Sequence, residues 1–328
     1  MLITGANGAG KTNLLEALHV GTQGFSPRTR SDAQMVRFGA DAGRIELRGR
    51  NEDVRFASDV LLSVRGSRRA RLNGSRLSSA ELLRSELRAL VFTPDRLAVV
   101  KGGPAARRAY LDRSLGRLYP SRSSLPVEYA AAVGQRNAAL RRIAAGISSR
   151  DALEPWTEAV ASLGRELVAA REETVAVLAS EFAERAGRLG LAEAAIGYEG
   201  AAVEPEQYEA RVASDLERGI TGLGPHLHDV RIEAAGRELR SFGSQGEQRV
   251  AVLALVLAEA GVLAEREGRR PLVMLDDVLS ELDGDRRRSL AELIAGRGQV
   301  IVTATAAGAF PASPELSLVV TPGAVRSA

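Results

Sequence analysis

The stretch Gly5-Ala6-Asn7-Gly8-Ala9-Gly10-Lys11-Thr12 constrains this chain's architecture more than any other. It follows a short apolar run, Met1-Leu2-Ile3-Thr4, and precedes Asn13-Leu14-Leu15-Glu16-Ala17-Leu18, which has helical spacing. A G-x-x-x-x-G-K-T sequence between a strand and a helix is a phosphate-binding loop. Its glycines let backbone N–H groups curl inward as an anion nest. The helix starting near Gly10 adds its positive end. Residues 5–12 are therefore expected to cradle a nucleoside triphosphate, with Lys11 on the β- and γ-phosphates and the Thr12 hydroxyl on Mg²⁺.

Lys11 and Lys101 are the only lysines among 44 basic residues. A chain that otherwise uses arginine places a compact ammonium here, and a point charge on a flexible stem fits between phosphates better than a planar fork. The 328 residues suffice for two lobes, and 45% apolar with 26% charged residues is ordinary for a globular chain. No apolar run approaches the roughly 18–20 residues of a membrane span, and no secretory signal is evident. Cysteine is absent, which excludes disulfides and fits a reducing cytosol. Three scattered histidines argue against a zinc site. A net charge of +3 does not by itself imply nucleic acid.

Along the chain, residues 25–39 carry Arg28, Arg30 and Arg37, and Arg44 follows. Residues 43–48, 54–64 and 69–72 read as strands, with Asn73-Gly74 as a hairpin turn. A small antiparallel sheet is thus expected over 40–78, followed by a helix over 79–90. Arg65, Arg68, Arg69, Arg71 and Arg76 cluster on or near the hairpin, as a solvated edge or as phosphate contacts. Leu90-Val91-Phe92 reads as a buried strand. Helical spacing then covers 105–118, 127–145, 153–189 and 205–220. Strand character returns at 230–239, 271–277, 299–305 and 316–320, with a long apolar helix from 250 to about 265. The order predicts an α/β P-loop fold, its ligand at the carboxyl ends of the strands, interrupted by a helical lobe. Expected boundaries are 1–104 with 225–328 for the nucleotide lobe and 105–224 for the helical lobe.

Asp276 and Asp277 close an apolar strand. Asp276 is expected to hold Mg²⁺ opposite Thr12, and Asp277 to orient or deprotonate an attacking water. Ser244-Gln245-Gly246-Glu247-Gln248 opens a helix. Ser244 with Glu247 would complete a capping box, a purely structural role. The same N-terminus, through Ser244, Gln245 and Gly246, can present N–H groups to a γ-phosphate.

Together these blocks resemble the RecF family of DNA-repair recombination mediators, ABC-type ATPases related to SMC heads. The resemblance includes GANGAGKTNLLEAL (5–18), SPRTRSDAQMVRFG (26–39), FTPDRL (92–97), GPAARRAYLD (103–112), QRNAAL (135–140), GPH (224–226), FGSQGEQR (242–249) and MLDDVLSELD (274–283). Ser280-Glu281-Leu282-Asp283 resembles the family's D-loop, and Thr303 and Thr305 fall where transporter ATPases place a switch histidine. The resemblance implies a P-loop NTPase of the ABC/SMC-head type with an inserted helical lobe. It implies a cytoplasmic, weak, DNA-stimulated ATPase that dimerises on ATP, with Ser244 acting across the dimer. It also implies binding to gapped or junction DNA and work with RecR- and RecO-like proteins, without a membrane partner. Arg107-Arg108, Arg141-Arg142 and Arg286-Arg287-Arg288 are candidates for phosphate contacts or solvated helix faces.

Two departures stand out. The family begins with about two strands before the P-loop that help hold adenine, whereas only four residues precede Gly5. The expectation is a misassigned start, and weaker ATP binding and lower stability than a chain extended upstream. The family also continues GPH with Arg-Asp-Asp, where this chain has Leu227-His228-Asp229. His226 is a candidate for a ligand contact or a structural hydrogen bond. Rival readings are a transporter-type ABC subunit, a small-molecule P-loop kinase and a DNA-binding module with a decayed ATPase.

Overall fold

Three buried residues, Leu2–Thr4, form β1, and the main sheet is assembled around them. The computed structural model describes residues 1–29, 31–51, 54–79 and 81–328; Arg30 lies outside them. After β1 come α1 (Lys11–Gln23), β2 (Ala42–Asn51), β3 (Val54–Ser63), β4 (Arg69–Leu72), β5 (Ser75–Arg76), α2 (Glu81–Glu86) and β6 (Ala89–Phe92). Then follow α3 (Ala98–Lys101), α4 (Pro104–Leu118), α5 (Leu125–Ala144), α6 (Glu154–Arg188), β7 (Ala194–Glu199), α7 (Pro205–Glu209) and α8 (Val212–Arg218). The chain closes with β8 (Asp229–Ala234), β9 (Arg237–Glu238), α9 (Leu239–Phe242), α10 (Gln245–Glu267), β10 (Leu272–Leu275), α11 (Gly284–Ile294), β11 (Val300–Ala304), β12 (Ser317–Thr321) and β13 (Ala324–Ser327).

Two compact units emerge. The first comprises residues 1–97, 188–190 and 252–328. Its six-stranded sheet runs β13-β12-β1-β11-β10-β6, parallel except for β13. The β6 and β10 strands are continuous apolar runs, as strands covered on both faces must be. Ile3, Leu15, Val91, Met274 and Ile301 share one core. The second sheet of this unit, β2-β3-β4-β5, is antiparallel. Its inner face packs on α1, where Val20 joins Val60, Leu62 and Ala70, and the Ser58 hydroxyl donates to the Gly21 carbonyl at 2.6 Å. Asn73 and Gly74 take positive φ values of 51° and 84°, so the hairpin turn is the primed kind expected of Asn-Gly.

The second unit comprises residues 98–187 and 191–251. The divisions therefore fall at 97/98 and, within α10, at 251/252, whereas the sequence suggests 104/105 and 224/225. The physical reason is a sheet that the helical texture conceals: β7 pairs with β8 over six residues, and β8 with β9. Helices α4, α5 and α6 supply the core of this unit through Leu115, Tyr129, Val133, Val160 and Leu167. The expected helix over 205–220 is two helices broken after Glu209, and that over 79–90 is the shorter α2 followed by β6.

Candidate nucleotide-binding site

The P-loop backbone has the curvature its glycines permit. Gly5, Gly8 and Gly10 have φ of 155°, 78° and 105°, all closed to ordinary L-residues. A Cβ on Gly5 would lie 2.4 Å from the Val320 carbonyl oxygen, so β12 leaves room there for glycine alone. Lys11 is the first residue of α1 and is buried; its ammonium lies within the loop, donating to the carbonyls of Gly5 at 2.8 Å and Ala6 at 3.0 Å. Ala6, Asn7 and Gly8 are exposed at the rim, and Ala9 packs into the core beneath.

Parallel pairing of β1, β11 and β10 brings three more groups to the loop. The Thr12 hydroxyl donates to Asp276 Oδ1 at 3.2 Å. Thr303, at the end of β11, donates to the same oxygen at 2.8 Å, and its hydroxyl accepts the Asp277 N–H at 2.8 Å. Asp276 is buried, its own N–H bound to the Phe92 carbonyl at 2.9 Å. Asp277 turns outward into solvent with φ of 49°, a left-handed conformation held by the Thr303 bond. Thr305 is exposed beyond the strand end. Sequence reasoning placed Thr303 here but missed its bridging role, because only strand register sets Thr303 beside Asp276.

A hydroxyl and a carboxylate 3.2 Å apart at the mouth of a phosphate loop are the hard oxygen donors Mg²⁺ takes alongside phosphate oxygens. Among the described residues no cluster of three histidines, cysteines or carboxylates offers an all-protein metal cage. The donor set at Thr12 and Asp276 therefore fits Mg²⁺ bound together with a nucleotide.

Ser244, Gln245 and Gly246 belong to the second unit. The capping box forms: Glu247 N–H donates to Ser244 Oγ at 3.2 Å, and Ser244 N–H to the Glu247 carboxylate at 2.7 Å. Gln248 is buried and pins the helix start through the Leu239 and Gly243 carbonyls. Ser244 and Gln245 nonetheless remain exposed, and the neighbouring Phe242 side chain is 73% exposed. Residues 280–283, the candidate D-loop, are also local in their bonds: Ser280 donates to the Asp277 carbonyl at 3.0 Å, and Asp283 caps α11.

Several arginines and histidines singled out in the sequence are internal struts. Arg107 is buried and grips Asp229 through two bonds of 2.7 and 2.6 Å, and Arg108 donates to the His228 carbonyl. Arg136 and Asn137 of the QRNAAL block both bond Thr221. His226 joins Tyr129 and the Thr221 carbonyl, and His228 joins Tyr198. Leu227 is 56% exposed.

Comparison with known proteins identifies the family. The sequence profile of the RecF/RecN/SMC N terminal domain matches residues 1–323. The DNA replication and repair protein RecF of Heliobacterium modesticaldum is 35% identical over 96% of this chain and 88% of its own. That of Anaeromyxobacter sp. (strain K) is 37% identical over 93% of this chain and 86% of its own. The structure of the recombination mediator protein RecF with ATP, from the RecFOR pathway, superposes with a TM-score of 0.88 at 26% identity, covering all of this chain and 91% of that one. With such similarity along its whole length and the fold of an ABC-type ATPase head, the chain belongs to the RecF family.

Proposed function

We propose that this protein is an ATP-binding DNA-repair ATPase of the RecF type, whose hydrolysis is a slow, DNA-stimulated switch. The observation that carries this is the bond chain from Thr12 through Asp276 and Thr303 to Asp277, which ties the phosphate loop to the acidic strand. Residues 5–12 bind the triphosphate, with Lys11 on its β- and γ-phosphates. Thr12 and Asp276 would hold Mg²⁺, which would supply positive charge to the bound phosphates. Asp277 orients the attacking water and takes up its proton.

Ser244, with the Gln245 and Gly246 N–H groups, completes the site across a head-to-tail dimer; the exposed Ser244 and Gln245 at the helix start, beside exposed Phe242, support this reading. The dimer binds single- and double-stranded DNA at gaps and junctions in the cytoplasm and acts with RecR- and RecO-like proteins to load recombinase. No helix among the described residues is long and apolar enough to cross a membrane.

The test is light scattering of the purified protein with ATP, with and without gapped duplex DNA, using Lys11→Met and Ser244→Arg as controls. An ATP-dependent dimer that binds DNA and is lost in both variants is the expected result. A monomer that turns over ATP and ignores DNA would favour a kinase.

A further inference from the structure

The outward face of the four-stranded sheet is built largely of guanidinium groups. Register places Arg44 opposite Leu61, Glu46 opposite Asp59, Arg48 opposite Ala57 and Arg50 opposite Arg55. Next, β4 sets Arg69 opposite Leu61 and Arg71 opposite Asp59, and β5 sets Arg76 opposite Arg71. Opposed residues share a face and neighbours along a strand alternate. These positions therefore lie on one side, while Val60, Leu62 and Ala70 face α1 on the other. Seven arginines thus share a surface with two carboxylates, in a chain whose net charge is only +3.

Arg44 engages both carboxylates, Glu46 at 3.0 Å and Asp59 through bonds of 3.0 and 2.9 Å. The other six arginines are exposed and have no ion-pair partner among the described residues. Two pairs, Arg50 with Arg55 and Arg71 with Arg76, set like charges directly across strands. Such pairs destabilise a sheet, so folding gains nothing from them. A polyanion laid across the face removes the repulsion and releases its own counterions.

The described outward positions between the arginines are Ala57 and Leu61, with no aromatic side chain. Single strands are held on aromatic stacking platforms, and lipid surfaces are entered by large apolar side chains. Among its described positions this face has no aromatic, and its one large apolar side chain, Leu61, is half-buried. Guanidinium forks match phosphate oxygens in pairs. Arg68 is not part of it, since its guanidinium is tied to Asp32 and the Gly24 carbonyl. The even spacing of Arg44, Arg48 and Arg50 on one strand was the sequence signal that only register made readable.

We infer that the outward face of β2 to β5 is a sequence-independent docking surface for the phosphate backbone of duplex DNA. The inference rests on the DNA-binding reading above and adds the surface and the form of DNA that it takes. The test is fluorescence anisotropy of the full chain with ATP, titrated onto a labelled blunt duplex and a single strand of equal length across a salt series. The variant R48Q/R50Q/R71Q/R76Q is compared with wild type and with R150Q/R218Q/R297Q/R326Q, which removes equal charge from exposed sites elsewhere.

The face variant should bind duplex at least about tenfold more weakly, with a slope of log affinity against log salt shallower by about 2–4, near 0.9 per lost phosphate contact. Its ATP turnover without DNA should hold, and its melting temperature should hold or rise. Should the quadruple variant fail to fold, R71E/R76E takes its place with the same expectation. Equal duplex affinity and slope in wild type and face variant would overturn the inference while leaving DNA binding intact. So would an equal loss in the control variant, or a loss confined to the single strand. A wild-type protein that binds neither probe would instead refute the DNA-binding reading, and the inference with it.

Discussion

Thr303 donates its hydroxyl proton to Asp276 at 2.8 Å, and the same oxygen accepts the backbone N–H of Asp277. One buried side chain thus holds the Asp276 carboxylate and the Asp277 backbone. Thr303→Val keeps the shape but leaves that N–H without its partner, which should cost about 1–3 kcal/mol. A lower melting temperature and at least tenfold slower ATP turnover (about 1.4 kcal/mol) are expected. Thr303→Ser should restore both; a valine variant as active as the serine one would remove Thr303 from the site.

Asp277 combines a strained backbone with an exposed carboxylate. Asparagine tolerates the left-handed region, whereas alanine pays roughly 1–2 kcal/mol there. Asp277→Asn should therefore melt like wild type and bind ATP as tightly, yet turn over about a hundredfold more slowly or worse. Asp277→Ala should lose turnover and also melt lower. Single-turnover hydrolysis with calorimetry separates the two effects, and an asparagine variant with wild-type turnover would assign the water to another group.

What the sequence made legible is what local pattern encodes. The P-loop, α1, the apolar β6 and β10 and the Asn73-Gly74 turn all follow from spacing within a few residues. Distant partners were not readable. Arg107 meets Asp229 across 122 residues and Arg171 meets Asp112 across 59, so arginines that pattern as helix surface are buried struts. The sheet formed by β7 and β8 hid for the same reason, and β13 because all four of its residues are exposed. At the candidate nucleotide site the sequence shows the residue types, while the bridging by Thr303 required the register of β10 and β11.

The P-loop glycines are not equivalent. Gly8 has φ of 78° and open space where a Cβ would go, so Gly8→Ala should cost only the left-handed penalty, about 1–2 kcal/mol. At Gly5 a Cβ would also meet the Val320 carbonyl at 2.4 Å, which forces β12 or the loop to move. Gly5→Ala should abolish ATP binding and melt well below Gly8→Ala. Similar melting temperatures for the two would show that the loop and β12 separate freely.

In the second unit Arg136 is fully buried, bonded to Asp215 at 2.7 Å and to Thr221 at 3.1 Å. Removing the carboxylate with Asp215→Ala leaves a buried, unpaired guanidinium and should cost about 3–5 kcal/mol. The exposed Arg165–Glu204 pair offers the contrast: Arg165→Gln should cost less than about 1 kcal/mol. Urea unfolding followed by circular dichroism checks both, and comparable losses would show that burial does not govern these pairs.

The same unit should be acid-sensitive through two histidines. His226 Nε2 donates to the Thr221 carbonyl at 3.0 Å, and its Nδ1 accepts from the Tyr129 hydroxyl at 2.8 Å, so the ring is neutral when both bonds are made. Burial is the main cause that holds its pKa below the ordinary histidine value, with Arg108 and Arg171 adding repulsion and Asp215 opposing them. Burial lowers His228 as well, again with Arg171 nearby. A lowered folded pKa means that the unfolded chain takes up protons first as pH falls. Stability should therefore be flat above about pH 7 and decline below the unfolded histidine value near 6.5, levelling once the folded rings also titrate. Melting temperatures measured between neutral and mildly acidic pH read this slope directly. His226→Asn should flatten part of it while lowering stability at neutral pH, and an unchanged slope would place the acid sensitivity in the carboxylates.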